Sequence, residues 1–404
     1  MKRAFLLTAL LALTACTPST PVAEPDTPDP ASVTQGLEGP PSTPVAQSVT
    51  PPAINTAPIE VCFVLDTTGS MGGLIDGAKQ KIWSIANQII KDNPRRPLKI
   101  ALVPYRDRGD EYVTRVFDLT DDLDDMYTQL MSFTATGGGD EPESVNQALQ
   151  DAVENVNWSP IISTAQGPDA TRILFLVGDA PPHMDYPDDV KWPITLQKAV
   201  KMNIIVNTIQ CGTNAATTPI WQDIARAGEG SYFNISQSGN MIAISTPLDA
   251  RIVELNKELA TTVVPYGSAV VQEAVAAKTA APASMRPEAA ADRSSYNLAT
   301  GGKAVQGRGD LVQDLKEDKE ILKALKTEDL PAVMKKMTAA ERTKYLESQS
   351  AKRQRLNAEL SRLTGDRAEW LKQENARRAG TDGDSFDQKV SETIREQSNR
   401  EPKK

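Results

Sequence analysis

Between about residues 58 and 262, short runs of branched apolar residues alternate with stretches of helical periodicity. The helical stretches include 74–92 and 142–157, and the apolar runs lie at 59–66, 98–105, 172–179 and 203–211. Strands that are apolar at nearly every position belong to parallel sheets covered by helices on both faces. The pattern therefore predicts an α/β fold with a doubly wound, mostly parallel, Rossmann-like sheet. An edge strand is also predicted at 113–119, after a turn at 107–110.

The first residues are typical of a secretory signal. Lys2 and Arg3 precede an apolar run over 4–13 that is too short to cross a bilayer as a mature helix. The run ends in Leu-Thr-Ala before Cys16, a string that resembles the lipobox of bacterial lipoproteins. The resemblance implies a signal peptide over 1–15 and a lipid on the Cys16 thiol. Thr17 follows the cysteine instead of Asp, which by the sorting rules of such lipoproteins favours the outer membrane.

Composition divides the remaining chain into further segments. Residues 16–58 hold eleven prolines among Thr, Ser, Ala and Val, and this mix predicts an extended tether. The α/β domain follows at 59–262. Residues 263–307 are rich in Ala, Ser and Gly with little periodicity, so a linker is predicted there. The last segment, 380–404, is predicted to be disordered.

Residues 308–379 are charged and are predicted to form a C-terminal α-helical extension. Positions 356, 360, 363, 367 and 370 have heptad-like spacing, but Arg367 interrupts the apolar seam. A surface helix or helical hairpin is the favoured interpretation, and a coiled coil is the alternative. The Arg-Gly-Asp string at 308–310 is interpreted as chance. No segment after the signal is apolar enough to span a bilayer, so the lipid would be the only membrane anchor.

Charge and cysteine content narrow the function classes. Net charge is −11 over 59–262 and +4 over 301–404, and no Lys/Arg cluster carries interleaved aromatics, so nucleic acid is not an expected partner. No Lys or Arg occurs between Arg115 and Arg172, a span with eleven acidic residues. That span suits either a cation-attracting site or a solvated acidic face. Cys62 and Cys211 fall on strands that are not expected to be neighbours, which predicts two buried thiols rather than a disulfide.

Oxygen-bearing side chains follow the predicted strands, where ligands of a doubly wound sheet bind. Asp66, Thr68 and Ser70 alternate after the first strand, and Gly69 permits a tight turn between them. Asp179 follows the strand at 172–179, and a glycine-rich loop over 136–143 opens a helix. Hard oxygen donors are preferred by Mg²⁺, Mn²⁺ and Ca²⁺, whereas zinc prefers His or Cys. A divalent cation, Mg²⁺ foremost, is the predicted cofactor.

These residues resemble the metal-ion-dependent adhesion site of the von Willebrand factor A (VWA) family, whose Asp-x-Ser-x-Ser motif is present as Asp66-x-Thr68-x-Ser70 with a later Asp179. The resemblance covers about 200 residues and implies the VWA fold. The middle loop departs from the pattern, since many members place a metal-binding Thr after a Gly pair. Its Gly-Asp-Glu-Pro-Glu string is similar to integrin β subunits and implies Glu143 as a ligand. Thr136 and Asp140 remain alternatives.

Two further strings, 105–107 and 178–183, are similar to those of the hemicentin and α-kinase A-domain subgroup. They draw attention to His183, the only histidine, and to Arg106 and Asp107. His183 is expected either to support the metal ligands or contact a partner, or to be a loop histidine satisfied by backbone bonds. Arg106 and Asp107 are expected to form a local ion pair near the site, with a structural role equally open.

The resemblance implies a binding module and not an enzyme. Its partner would be a protein that offers an exposed Asp or Glu carboxylate to the metal. One alternative is an envelope spacer or assembly factor that acts through the C-terminal helices. Another is a phosphohydrolase of the haloacid dehalogenase type, but that chemistry needs a second carboxylate two residues after Asp66, where Thr68 stands.

Overall fold

The computed structural model describes residues 56–139, 141–162, 169–378 and 385–399. Its centre is a six-stranded sheet in the order β3-β2-β1-β4-β5-β6, in which only β3 is antiparallel to its neighbour. The strands are β1 (Ile59–Asp66), β2 (Leu98–Tyr105), β3 (Phe117–Thr120), β4 (Thr171–Gly178), β5 (Ile204–Cys211) and β6 (Glu229–Ile235). The helices are α1 (Gly72–Asp92), α2 (Leu123–Ser132), α3 (Val145–Glu154), α4 (Trp192–Lys201), α5 (Thr217–Ala227), α6 (Asp249–Ala260), α7 (Ala269–Ala280), α8 (Pro287–Ala299), α9 (Leu311–Glu317), α10 (Ile321–Ala324), α11 (Ala339–Arg378) and α12 (Phe386–Ser398). The predicted doubly wound, mostly parallel fold is confirmed.

The central strands are buried on both faces, which explains their near-continuous apolar sequences. Along β1, Val61 and Phe63 point into a core formed with α1, α2 and α12, while Cys62 and Val64 point into a second core with α3, α4 and α5. Cys62 in β1 and Cys211 in β5 are separated by β4, and both thiols are free and buried. The prediction of two buried thiols is therefore confirmed.

The parallel register sets the carboxyl ends of three strands at one edge of the sheet. Asp66, the last residue of β1, pairs with Tyr105, the last residue of β2. Gly178 ends β4 beside them. Loops that follow these strands therefore converge on one region. The edge strand β3 is shorter than predicted, at Phe117–Thr120. Strand β6 was not predicted from the sequence, because most of its residues are only half-buried and its apolar pattern is weak.

The predicted linker at 263–307 is wrong, since this segment contains α7 and α8. Alanine has the highest helix propensity, and its small side chain lets helices pack closely without a strong apolar periodicity. In α8, Ala290 is buried and Tyr296 lies edge-on to Trp83 of α1, with ring centroids 5.6 Å apart. These residues cover the sheet domain instead of connecting it to something else.

The long helix α11 confirms the predicted C-terminal helical extension and its favoured interpretation as a surface helix, because one face packs within the chain and the other is exposed. Leu356, Leu360 and Leu363 form a buried cluster with residues of α6 and α8. Arg367, which interrupts this seam, donates to Asp249 Oδ1 at 2.6 Å. The interruption is thus a buried ion pair between α11 and α6.

A second buried pair fixes the Arg-Gly-Asp string. Arg353 donates to Asp310 Oδ2 at 2.6 Å, and only 1% of the surface of each residue is exposed. Asp310 also caps α9 by accepting from the Val312 N–H. Because its carboxylate is inside the fold, the string has a structural role, in agreement with its interpretation as a chance match.

The predicted disordered tail is wrong for residues 386–398, which form α12. Phe386, Val390 and Ile394 recur every four residues, so they share one helical face, and all three are buried in the core that covers the sheet.

The predicted signal peptide, the Cys16 lipidation site and the tether up to residue 55 lie outside the described residues. Across the part of the chain that is described, no helix is both long and apolar enough to span a membrane.

Candidate functional site

The loop after β1 organises one carboxylate and two hydroxyls. Asp66 Oδ1 accepts from the Thr68 N–H at 2.8 Å and from the Thr68 hydroxyl at 2.6 Å. The hydroxyl oxygens of Thr68 and Ser70 are 3.3 Å apart. Asp66 is fully buried, yet its Oδ2 has no hydrogen-bond partner among the described residues. Because an unpaired buried oxygen is costly, this atom fits a site that can accept a cation or a hydrogen-bond donor.

Glu143 lies just before α3 and is held beside the loop after β4. Its N–H donates to the Pro181 carbonyl at 2.9 Å, and its carbonyl accepts from the His183 N–H at 3.0 Å. A Cβ added to Gly138 would lie 2.9 Å from Thr68 Cβ and 3.0 Å from Glu143 Oε1, which places this carboxylate beside Thr68. Glu143 Oε2 is also buried and has no partner within the described part of the chain.

The two alternatives to Glu143 have different outcomes. Thr136 is exposed, and its N–H donates to the Thr67 carbonyl at 3.1 Å, so its backbone ties the glycine-rich loop to the loop after β1. The next residue continues this tie, because the Gly137 carbonyl accepts from the Gly69 N–H at 3.1 Å. Asp140 lies outside the described residues. Of the two candidates that are described, Glu143 is the one that is buried near Thr68.

Asp179 follows β4 and is half-buried. A Cβ on Gly178 would lie 3.0 Å from Asp66 Oδ2 and 2.5 Å from Tyr105 Oη, so a larger residue before Asp179 would displace Asp66 or Tyr105. Asp179 Oδ2 accepts from the side-chain amide of Gln237 at 2.7 Å. The glycine therefore allows the two aspartates to approach each other.

Electrostatics indicate that these carboxylates repel one another. Burial, and then the charge of Asp179, raise the pKa of Asp66 to about 7. Burial raises the pKa of Glu143 to about 9, with contributions from Asp66, Asp107, Asp110 and Asp179. Burial also raises the pKa of the neighbouring Tyr105 phenol. A positive charge among these groups would relieve the repulsion and favour their ionised forms.

The donor set fits a hard divalent cation better than a soft one. Among the described residues, no three His, Cys, Asp or Glu side chains form a ready metal cluster by themselves. The hydroxyls of Thr68 and Ser70 would therefore have to complete the set, as oxygen ligands suited to Mg²⁺, Mn²⁺ or Ca²⁺. The unpaired oxygens of Asp66 and Glu143 offer two of the required donors.

The expected ion pair between Arg106 and Asp107 is wrong. Arg106 donates to the Thr67 carbonyl at 3.3 Å and to the Thr134 carbonyl at 2.8 Å, so it connects the loops after β1 and α2. Asp107 faces elsewhere and accepts from the Ser144 hydroxyl at 2.7 Å. Neighbouring residues of an extended chain point in opposite directions, which explains the separation. Asp107 thereby holds Ser144, the residue that follows Glu143.

His183 is held by side chains, which corrects the reading of a loop histidine satisfied by backbone bonds. Its Nδ1 lies 2.8 Å from Asp185 Oδ1, its Nε2 lies 3.4 Å from Asp107 Oδ2, and its ring stacks on Tyr186 with centroids 4.0 Å apart. Tyr186 also donates to Asp107 at 2.8 Å. Since the His183 N–H contacts the Glu143 carbonyl, this cluster supports the Glu143 loop.

Three residues near the site were not predicted from the sequence as site residues. Tyr105 places a buried hydroxyl near Asp66, and Asp110 accepts from the Gly138 N–H at 3.1 Å. Gln237 reaches Asp179 from the turn after β6. Tyr105 was visible as the residue before Arg106, and Asp110 as part of a predicted turn. Gln237 had no motif, because its position depends on a strand that was not predicted.

Comparisons with known proteins agree with this topology. Residues 60–246 match the family model described as von Willebrand factor A domain. Over 88 residues the chain is 44% identical to von Willebrand factor A domain-containing protein 7 of Homo sapiens and 43% identical to that of Mus musculus. Each match covers 22% of this chain and 9% of the relative. The chain therefore contains a VWA domain with additional C-terminal helices.

Similar solved structures include the SpRpn10 VWA domain, with 16% identity, a TM-score of 0.33 and coverage of 44% of this chain and 88% of that chain. Another is proximal thread matrix protein 1 from the mussel byssus, with 17% identity, a TM-score of 0.31 and coverage of 45% and 42%. A third is an aerotolerance-related membrane protein from Bacteroides fragilis, with 16% identity, a TM-score of 0.29 and coverage of 45% and 92%.

Proposed function

We propose that this chain is a lipid-anchored bacterial envelope protein whose VWA domain binds a protein partner through a divalent cation. A VWA domain suggests a protein-interaction or adhesion module. The proposal of a metal rests on one observation, that two carboxyls with a buried, unpartnered oxygen, Asp66 and Glu143, both lie beside Thr68. They lie where the loops after β1 and β4 meet, and both carboxyls have raised pKa values.

The proposed site is a metal-ion-dependent adhesion site built from Asp66, Thr68, Ser70, Glu143 and Asp179. Mg²⁺ is the favoured ion, and when bound it would supply a coordination position open to a carboxylate of the partner. The chain's own role is to present oxygens. The Thr68 hydroxyl already donates its proton to Asp66 Oδ1, so its lone pairs remain available as a neutral donor.

The same contact argues for binding instead of hydrolysis. A phosphohydrolase with Asp66 as nucleophile would need a carboxylic acid at position 68 to protonate the leaving group. Thr68 has no ionisable proton at neutral pH, and its hydroxyl is committed to Asp66 at 2.6 Å. We therefore propose a module without catalytic activity.

Envelope anchoring is proposed from the lipobox-like string that ends at Cys16. The lipid would hold the chain at the membrane, and the proline-rich tether would carry the domain away from it. The residue after Cys16 favours the outer membrane.

The alternative of an assembly factor led by its C-terminal helices finds less support. The leucines of α11 are buried against α6 and α8, so that apolar face is already used inside the fold.

A thermal unfolding series tests the metal. Mg²⁺ should raise the melting temperature of the full chain, because an ion that binds only the folded state stabilises it by about 2.7 kcal/mol at a hundredfold excess over Kd. Asp66→Asn should lose this response. Asp223→Asn is the control, since Asp223 is an exposed residue of α5 that pairs with Arg226. An equal response of all three proteins would place any bound ion elsewhere.

A further inference from the structure

Gln237 lies in the turn after β6 and reaches two parts of the proposed metal site. Its side-chain Nε2 donates to Asp179 Oδ2 at 2.7 Å and to the Ser70 carbonyl at 3.2 Å. One contact is to a proposed metal-binding carboxylate, and the other is to the backbone of the loop that presents the hydroxyls. Gln237 itself is outside the ligand set proposed above.

Glycines make this approach possible. A Cβ on Gly212, whose φ is +75°, would collide with Gln237 Oε1. A Cβ on Gly73, near the start of α1, would lie 3.1 Å from Ser238 Cβ. A Cβ on Gly77, one turn later, would lie 2.7 Å from Met241 Cε. Glycines inside a helix cost about 1 kcal/mol each relative to alanine, so their presence in α1 matches the need for space.

The C-terminal helix α12 holds the same turn from the other side. The Phe386 N–H donates to the Gly239 carbonyl at 2.9 Å, two residues beyond Gln237. The Phe386 ring packs near Phe63 of β1, with centroids 6.1 Å apart. At the far end of α12, Gln397 exchanges hydrogen bonds with the Asn207 amide of β5 at 3.1 and 2.7 Å. The helix is therefore fixed to the sheet at both ends.

We infer that Gln237 is a positioning residue for the metal site and that α12 keeps it in place. The inference rests on the metal-binding function proposed above. A donor that occupies one oxygen of a metal-binding carboxylate fixes the orientation of that carboxylate, and loss of such a donor typically weakens metal affinity 10–100-fold. The second contact, to the Ser70 carbonyl, fixes the hydroxyl-bearing loop relative to Asp179.

The first experiment measures Mg²⁺ and Mn²⁺ affinity of the full chain by isothermal titration calorimetry. Gln237→Ala should weaken binding about tenfold, because Asp179 loses its donor. Gln80→Ala is the matched control, since the Gln80 amide is exposed on α1 and donates to the Asp76 carbonyl of its own helix at 3.2 Å. The melting temperature of each variant in EDTA shows whether the fold itself has changed.

The second experiment compares two buried residues of α12. Phe386→Ala should lower the melting temperature in EDTA and also weaken Mg²⁺ binding, because it loosens the turn that carries Gln237. Val390→Ala, one helical turn further on and fully buried, should lower the melting temperature without weakening Mg²⁺ binding. This pair separates general destabilisation from an effect on the site.

The outcomes are distinguishable. If the wild type binds neither ion, the proposed function fails and the inference with it. If the wild type binds and Gln237→Ala binds equally well, only the positioning role is overturned. If Phe386→Ala and Val390→Ala change Mg²⁺ affinity equally, α12 does not act through Gln237 and that part of the inference is wrong.

Discussion

The repulsion among the site carboxylates predicts an unusual dependence of stability on pH. The pKa of Asp66 is about 7 in the folded chain against an ordinary value of 3.8. Between these values the folded state keeps a proton that the unfolded state has released. Stability is therefore greatest at the acidic end of this window and is lost as the pH rises through about 7.

The size of this change in stability follows from the number of protons that the folded state retains and the unfolded state has released. Each retained proton changes the free energy of unfolding by about 1.4 kcal/mol per pH unit, so Asp66 alone accounts for at most about 4 kcal/mol over the window. Glu143, whose pKa is raised from 4.5 to about 9, adds a change of the same sign that continues to higher pH. Asp66→Asn keeps an oxygen for the two Thr68 donors but removes the charge.

Urea denaturation in EDTA at pH 5.5, 6.5, 7.5 and 8.5 measures this effect. The free energy of unfolding of the wild type should fall relative to Asp66→Asn as the pH rises. With Mg²⁺ present the fall should be smaller, because the cation displaces the protons and binds more tightly at high pH. A difference between the two proteins that stays constant from pH 5.5 to 8.5 would refute the reasoning.

Three other outcomes follow from the sequence and the packing. Cys16→Ser should release the protein from the membrane fraction, and retention there would contradict lipid anchoring. Gly178→Ala should lower the melting temperature because its Cβ would lie 2.5 Å from Tyr105 Oη, and adding Tyr105→Phe should recover part of the loss; no recovery would show that the clash is elsewhere. Arg367→Met should cost about 3–5 kcal/mol in urea denaturation, because it leaves the carboxylates of Asp249 and Asp292 without the cation that they share, and Asp249→Asn should restore part of that cost; an unchanged free energy of unfolding for Arg367→Met would contradict this.

The sequence predicts the parts of the site that share one loop. Asp66, Thr68 and Ser70 lie within five consecutive residues after an apolar strand, so their proximity follows from the local chain alone. Asp179 follows from the rule that parallel strands end at one edge. The sequence alone could not decide for Glu143, because a glycine-rich loop leaves several of its residues able to reach Thr68. Among the described residues, it is the hydrogen bond to the Pro181 carbonyl that holds Glu143 near Thr68.

Residues from distant segments could not be predicted in the same way. The i, i+4 spacing of Phe386, Val390 and Ile394 is present in the sequence, but the sheet face that buries them is formed by strands that lie about 150 to more than 300 residues earlier in the chain. A short apolar stripe among polar residues gives little sign of such a partner. Gln237 depends on a weakly apolar strand, and the one local sign of its segment was Gly77 inside the predicted helix at 74–92, whose missing side chain leaves room for Met241.

The proposed metal site should bind a protein partner. The most direct measurement is capture of partners from envelope extract by the immobilised full chain, in Mg²⁺ and in EDTA, with Asp66→Asn beside the wild type. A set of proteins should be retained by the wild type in Mg²⁺ and lost both in EDTA and with Asp66→Asn. Retention of the same proteins in EDTA, with equal affinity for Asp66→Asn, would contradict this expectation and assign binding to another surface.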